Sequence, residues 1–245
     1  MTHSPEHIIV ETTPGSNVAT IILSRPEKHN SLNERAQLEL MDALATVGIE
    51  KRVVIITGAG EKAFCTGVDL TELPDQQRRS QSSKEDDVWL RVCMRMLDLP
   101  CVFIAAVNGY ALGGGLTLVN LSDLAIASEG ARFGMPELGF GAFPRLSGPA
   151  TARRLLPKHV NWLALTAERV DAPTALQWGL VNEVVSTGAL IPRAQELAER
   201  LTDFDPVALA WTRRGLAAIE GADLRSSLEF GAYVRAMVMA ERSRS

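Results

Sequence analysis

Cysteine is scarce in this chain. Only Cys65, Cys93 and Cys101 occur in 245 residues, with neither an even count nor metal-ligand spacing. That excludes a disulfide framework and a cysteine metal site, and it leads us to expect a reduced, cytoplasmic setting. Charge of one sign is also lacking. The net charge of −4 leaves no basic face of the kind that nucleic acid requires. No long apolar run is present either, since the longest, residues 101–119, is broken by Asn108 and four glycines and does not read as a membrane span. Residues 1–17 lack a charged leader followed by an apolar core, so no signal peptide is expected. The dinucleotide pattern G-x-G-x-x-G, a P-loop lysine and the G-x-S-x-G of hydrolases are all missing. His3, His7, His29 and His159 show no spacing for a metal or a triad. What remains is an ordinary soluble composition, 46% apolar and 22% charged, long enough for one substantial core.

The apolar pattern alternates between strand and helix. "HIIVETT" and "VATIILSR", separated by "PGSN", predict a hairpin. Leu32, Leu38, Met41, Leu44 and Val47 predict a helix over 31–50, with Ser31 or Asn33 as its cap. "RVVIITG", "PCVFIAAVNG" and "DLAIAS" read as buried strands, and "VWLRVCMRMLDL" and "LTLVNL" as helices. Residues 73–87 are the most polar stretch and read as a loop that shapes the substrate entrance. After Pro157 the pattern is almost wholly helical. The expected organisation is an α/β core over 1–190, whose sheet is covered on both faces, and a helical part over 191–245.

Two glycine loops follow apolar strands. "ALGGGLTLVN" sets Gly113, Gly114 and Gly115 at the start of a helix, where unpaired N–H groups and the positive end of the helix dipole coincide. Such a place suits a phosphate or a developing oxyanion. Taken alone, the glycines are better explained by tight helix–strand packing. "TGAGEKAFCTGVDL" repeats the arrangement, with Gly58, Gly60 and Gly67. Two such loops on neighbouring strands can aim two N–H donors at one oxygen.

Four segments together carry a resemblance: "RPEKHNSLN" (25–33), "VVIITGAGEKAFCTGVDL" (53–70), the run 105–144 through "FGMPE", and "ALQWGLVNEVV" (175–185). In this order and spacing they resemble the crotonase superfamily, the enoyl-CoA hydratase/isomerase family. The resemblance implies an α/β spiral of β-β-α units with a helical C-terminal part that forms trimers, often paired into hexamers. It implies an acyl-CoA substrate, with coenzyme A as part of the thioester and no permanently bound cofactor or metal. By motif position the oxyanion donors would be the N–H groups of Val68 and Gly114, and the acid/base would be Glu137. Thr117 stands where hydratases of the family carry a second glutamate. Arg25, Lys28, Lys62, Ala63, Phe64, Thr66, Gly67, Asp69, Leu70 and Gly113 fall in segments that would meet coenzyme A. Arg242 or Arg244 could serve a neighbouring subunit's site.

The departures decide the expected chemistry. A threonine hydroxyl can hold a water but is no base near neutral pH, so Glu137 is left as the single carboxylate. The glycine-rich stretch "G-A-G-G" of hydratases is "PRLSGP" here, with Arg145 free to meet Glu137 or a polar acyl group. Double-bond isomerisation of an enoyl-CoA is the leading expectation. Hydration of a 2-enoyl-CoA is the alternative, followed by an acyl-CoA-binding paralogue without turnover. A serine hydrolase ranks last.

Overall fold

The computed structural model describes residues 7–69 and 87–243. Leu70, Arg244 and all of the polar stretch before Asp87 therefore lie outside the described residues.

The large sheet contains β1 (Ile8–Thr12), β2 (Val18–Leu23), β3 (Val53–Gly58), β5 (Val102–Val107), β7 (Leu124–Ser128) and β10 (Glu183–Val185), in that order. β1 and β2 form the expected antiparallel hairpin, and every later neighbour is parallel. Period-two alternation sorts its side chains. Val54, Ile56, Phe103, Ala105, Val107, Ala125 and Ala127 face one apolar cluster, and Val53, Ile55, Val102, Ile104, Ala106 and Ile126 face another. That is why β3 and β5 are buried at every position.

The second sheet consists of β4 (Ala63–Cys65), β6 (Tyr110–Leu112), β8 (Arg132–Gly134) and β9 (Val170–Asp171). Its strands are three residues or shorter. The chain thus visits the large sheet, then the small one, then a helix. β3 and β4 precede α2 (Val88–Asp98), and β5 and β6 precede α3 (Gly114–Leu121). These are the β-β-α turns of the spiral.

Helix α1 (Glu34–Glu50) is capped by Asn33, whose side chain accepts from the Ala36 N–H at 2.9 Å. Its buried face includes Ala36, Leu40, Ala43, Leu44, Val47 and Gly48, whereas Leu38 is exposed. Small residues bring this helix close to Leu99: a methyl on Gly48 would fall 2.4 Å from a Leu99 side-chain carbon.

After α4 (Ser147–Ala152), α5 (Pro157–Thr166) and α6 (Ala172–Trp178), helix α7 (Leu190–Thr202) covers the second face of the large sheet through Leu190, Ala194 and Ala198. Among the described residues, no helix is long and apolar enough to cross a membrane.

Helix α8 (Pro206–Ile219) is tied to the core by Arg213. Its guanidinium meets both Asp123 carboxylate oxygens at 2.8 and 2.9 Å, donates to the Met96 carbonyl at 2.9 Å and to Leu99 O, and lies over the Phe103 ring. Asp123 in turn accepts from the Phe103 N–H at 2.8 Å, so it anchors β5 as well. Replacing Arg213, whose side chain is 8% exposed, with alanine strands the Asp123 carboxylate, which is 25% exposed and partly screened, so the loss is expected at the low end of a buried pair, about 3 kcal/mol. Urea denaturation of Arg213→Ala is expected to read that loss, and α8 and α9 (Leu224–Arg242) are expected to become the first protease-sensitive segment.

Candidate active site

Strands β4 and β6 are parallel neighbours, so the segments that leave them run side by side. The chain after β4 continues through Gly67 and Val68, and the chain after β6 through Gly113 into α3. The two meet by main chain alone. A methyl on Gly67, whose φ is +96°, would lie 2.9 Å from the Gly114 nitrogen and 3.1 Å from Leu112 O. One on Gly115 would lie 2.0 Å from Cys65 O. The close approach that the glycines allow is therefore between the two loops themselves.

Val68 is fixed by a parallel bridge to Leu32. The Leu32 N–H donates to Gly67 O at 2.8 Å, and Leu32 O accepts from the Asp69 N–H at 3.0 Å. Successive backbone groups alternate in direction, so the Val68 N–H is turned away from that bridge. No backbone acceptor meets it among the described residues. Gly114 is the first residue of α3, and its N–H belongs to the unpaired first turn. Two free donors thus stand on adjoining backbones, one of them at the positive end of a helix.

The loop bearing Val68 is held by a buried knot. Arg25 donates to Ser31 O at 2.8 Å and to Asp69 Oδ2 at 3.2 Å, and Ser31 Oγ donates to the same Asp69 oxygen at 3.1 Å. Arg25 and Asp69 are 5% and 7% exposed. Both were expected to meet coenzyme A. The structure spends their charges on each other instead, so neither faces solvent as a free ligand group. Two asparagines staple the neighbouring glycine turn. Asn30 Nδ2 donates to Ala63 O at 2.7 Å, and Asn108 Nδ2 donates to Gly58 O and Gly60 O at 2.9 and 2.8 Å.

Of the remaining expected contacts, Lys28 and Lys62 are exposed cations. Ala63 and Phe64 are buried, so Phe64 can offer only its backbone. Thr66 bonds His29 O through both its N–H (3.2 Å) and its hydroxyl (3.3 Å). Arg242 pairs with Asp205 within the chain at 3.3 Å.

Glu137 opens a short 3-10 helix (Glu137–Phe140) just beyond β8. Because β8 pairs with β6, matching Gly134 to Leu112, the carboxylate arrives beside the start of α3. A methyl on Gly113 would lie 3.2 Å from Glu137 Oε1. Oε1 accepts from the Ser147 hydroxyl at 2.5 Å. Oε2 is buried and has no partner among the described residues. Thr117, one turn into α3, is buried and donates its hydroxyl hydrogen to Gly113 O at 3.2 Å, leaving only lone pairs. The Glu137 carboxylate thus lies beside the start of α3, and Thr117 follows one turn later in the same helix.

Arg145 pairs with Asp87, the N-cap of α2, and not with Glu137. Burial raises the Asp87 pKa, but the Arg145 guanidinium and the Leu90 and Trp89 N–H groups outweigh it and hold the carboxyl below its usual range. No cysteine is a nucleophile here. Burial pushes the thiols of Cys65, Cys93 and Cys101 up to about 12, which keeps them protonated.

Beyond Thr117 lies an open pocket of about 560 Å³, walled by α2, α3, α4 and α8. Leu90, Leu97, Leu121, Leu146 and Ala217 make it largely apolar. That size lies within the range of about 300–1,000 Å³ usual for small-ligand sites.

Comparison with known proteins places the chain. The family model described as enoyl-CoA hydratase/isomerase matches residues 13–240. Over 213 residues the chain is 36% identical to the (E)-benzylidenesuccinyl-CoA hydratase of Thauera aromatica, covering 85% of this chain and 81% of that protein. Over 216 residues it is 34% identical to the short-chain-enoyl-CoA hydratase of Clostridium acetobutylicum, covering 87% and 82%. The crystal structure of an enoyl-CoA hydratase from Bacillus anthracis superposes with a TM-score of 0.87 at 31% identity, covering 96% of this chain and 91% of that one.

Proposed function

Since the chain belongs to the enoyl-CoA hydratase/isomerase family and is an acyl-CoA enzyme of that type, we propose that it isomerises the double bond of an enoyl-CoA through a thioester enolate, with Glu137 as its single acid/base. The observation that carries this reading is the Glu137 carboxylate, whose Oε1 lies beside the start of α3 and whose buried Oε2 has no partner among the described residues, with a threonine where a second carboxylate would stand.

The thioester oxygen sits between the Val68 and Gly114 N–H groups. Glu137 takes a proton from C2, and the C–H electron pair becomes the C1–C2 double bond of the enolate. As charge moves onto the oxygen, both donors strengthen, and each contributes about 2.7–4 kcal/mol to such a step. The proton then returns at C4 while the double bond settles between C2 and C3. No water is consumed, so one carboxylate suffices.

Hydration is the second reading, and the relatives' names favour it: both the Thauera and the Clostridium proteins are called hydratases. In that case the Thr117 lone pairs position the water and Glu137 exchanges its proton. A panel of 2-enoyl- and 3-enoyl-CoA thioesters in deuterated water, read by mass spectrometry, separates the two. Conversion of 3-enoyl to 2-enoyl without gain of a water supports isomerisation. Gain of a water by the 2-enoyl thioester overturns it in favour of hydration.

Coenzyme A would lie along the loop of Ala63, Phe64, Thr66 and Gly67, with its phosphates near Lys28 and Lys62. Leu70 and Gly113 complete the assigned segment. Reversing both charges (Lys28→Glu with Lys62→Glu) is expected to raise KM about tenfold at low salt. The effect should shrink as screening rises, and steady-state kinetics at two ionic strengths check it. We further propose a homotrimer or a pair of trimers. Helix α9 buries no side chain within the chain and exposes Leu224, Leu228, Tyr233 and Met239.

A further inference from the structure

The Ser147 hydroxyl is a group that neither the motif nor the family match assigns. It sits at the first position of α4, is 2% exposed, and donates to Glu137 Oε1 at 2.5 Å. We propose that Ser147 is a positioning residue that holds the Glu137 carboxylate in one orientation beside the start of α3. The proposal rests on Glu137 being the acid/base.

The terminal torsion of a glutamate is broad, so without a partner the carboxylate can turn either oxygen to the substrate. A hydroxyl bound to Oε1 removes that freedom. The bond occupies one lone pair of Oε1, while Oε2 is buried and has no partner among the described residues. Ser147 keeps its own hydrogen throughout, and the balance of the step is unchanged.

The Ser147 backbone is itself held from behind. Thr151 donates its hydroxyl to Ser147 O at 2.6 Å and accepts from Asn120 Nδ2 at 3.0 Å. The orientation of Asn120 is fixed because the same nitrogen donates to Leu116 O at 2.9 Å, and a carbonyl can only accept. Thr151 and Asn120 are both buried, at 0% and 4% exposed. Helix α3, which presents the oxyanion donor, is thereby pinned to α4, which presents the serine. Both ends of the proposed reaction centre are set by one hydrogen-bonded chain. The serine replaces a residue of the glycine-rich stretch seen in hydratases, in the same chain that carries Thr117 in place of their second glutamate.

The test is a double-mutant cycle with but-3-enoyl-CoA and oct-3-enoyl-CoA as probes, measuring kcat and KM separately. Ser147→Ala is expected to lower kcat about 10- to 100-fold, the scale of a hydrogen bond to an ionised group, with KM unchanged within about twofold. Ser147→Thr, which keeps the hydroxyl, is expected to recover most of the rate. Ser147→Cys keeps the volume with a weak donor and should resemble alanine, so it serves if the alanine variant does not fold. Adding Ser147→Ala to Glu137→Gln should cause no further loss, because the serine acts through the carboxylate. A kcat for Ser147→Ala within twofold of wild type, beside an inactive Glu137→Gln, overturns the positioning role alone. So does a double variant whose losses multiply. An active Glu137→Gln, or a wild type that turns over neither probe, overturns the acid/base reading and the positioning role with it.

Discussion

Glu137→Gln is expected to lower kcat by about 10³- to 10⁴-fold while KM for the same thioester moves by less than about threefold. The amide is nearly isosteric and still accepts the Ser147 hydrogen through its oxygen, so the short 3-10 helix keeps its shape. What it loses is the ability to take a proton, because an amide is not a base near neutral pH. In the proposed mode, binding rests on the two backbone donors and the coenzyme A loop, and the substitution touches neither. The loss therefore belongs to the proton transfer, appearing in kcat and kcat/KM alike. Thermal unfolding should be shifted little, which separates this result from a failure to fold. A variant retaining more than about a tenth of the parent kcat would remove Glu137 from the role.

Gly67→Ala is expected to cause the second-largest loss, about 10²- to 10³-fold in kcat, although no side chain of the site is altered. Its backbone holds φ +96°, a region that alanine avoids, and the new methyl would stand 2.9 Å from the Gly114 nitrogen and 3.1 Å from Leu112 O. Both contacts are with backbone and cannot swing aside, so the loops must part. Val68 follows Gly67 directly, so its N–H shifts together with the spacing to Gly114. Losing one donor of an oxyanion pair typically costs about 10²–10³ in rate. A stability loss of about 1–3 kcal/mol should accompany it, as for other strained backbone positions. The informative comparison is Gly48→Ala, whose methyl meets only the end of the flexible Leu99 side chain. It should lower stability while leaving kcat near that of the parent.

The strands of the large sheet were legible because β3 and β5 are buried on both faces and read as uninterrupted apolar runs. The small sheet was not, because strands such as Ala63–Cys65 and Arg132–Gly134 are too short to show a period. In α1, counting only large apolar residues pointed to Leu38, which the structure exposes. The real face includes Ala36, Ala43 and Gly48, whose contribution is closeness rather than hydrophobic area. Within the site, Glu137 and the glycine triplet were visible as a motif in register. Arg25 misled because an arginine near a loop reads as solvated, whereas its partner Asp69 lies 44 residues away in sequence. Ser147 was invisible for the same reason. Nothing in its spacing from Glu137 marks a contact, and only the turn between β8 and α4 brings the two together.

We propose that two backbone donors and one carboxylate form a thioester enolate. The most direct test of this proposal is proton exchange at C2 of saturated thioesters in deuterated water, since it requires neither a particular double bond nor a water to add. Butanoyl-, octanoyl- and 3-phenylpropanoyl-CoA would be incubated with wild type, Glu137→Gln and Gly67→Ala and followed by mass spectrometry. The account predicts deuterium at C2 with the wild type, none above background with Glu137→Gln, and strongly slowed exchange with Gly67→Ala. Exchange that proceeds equally in wild type and Glu137→Gln would contradict it.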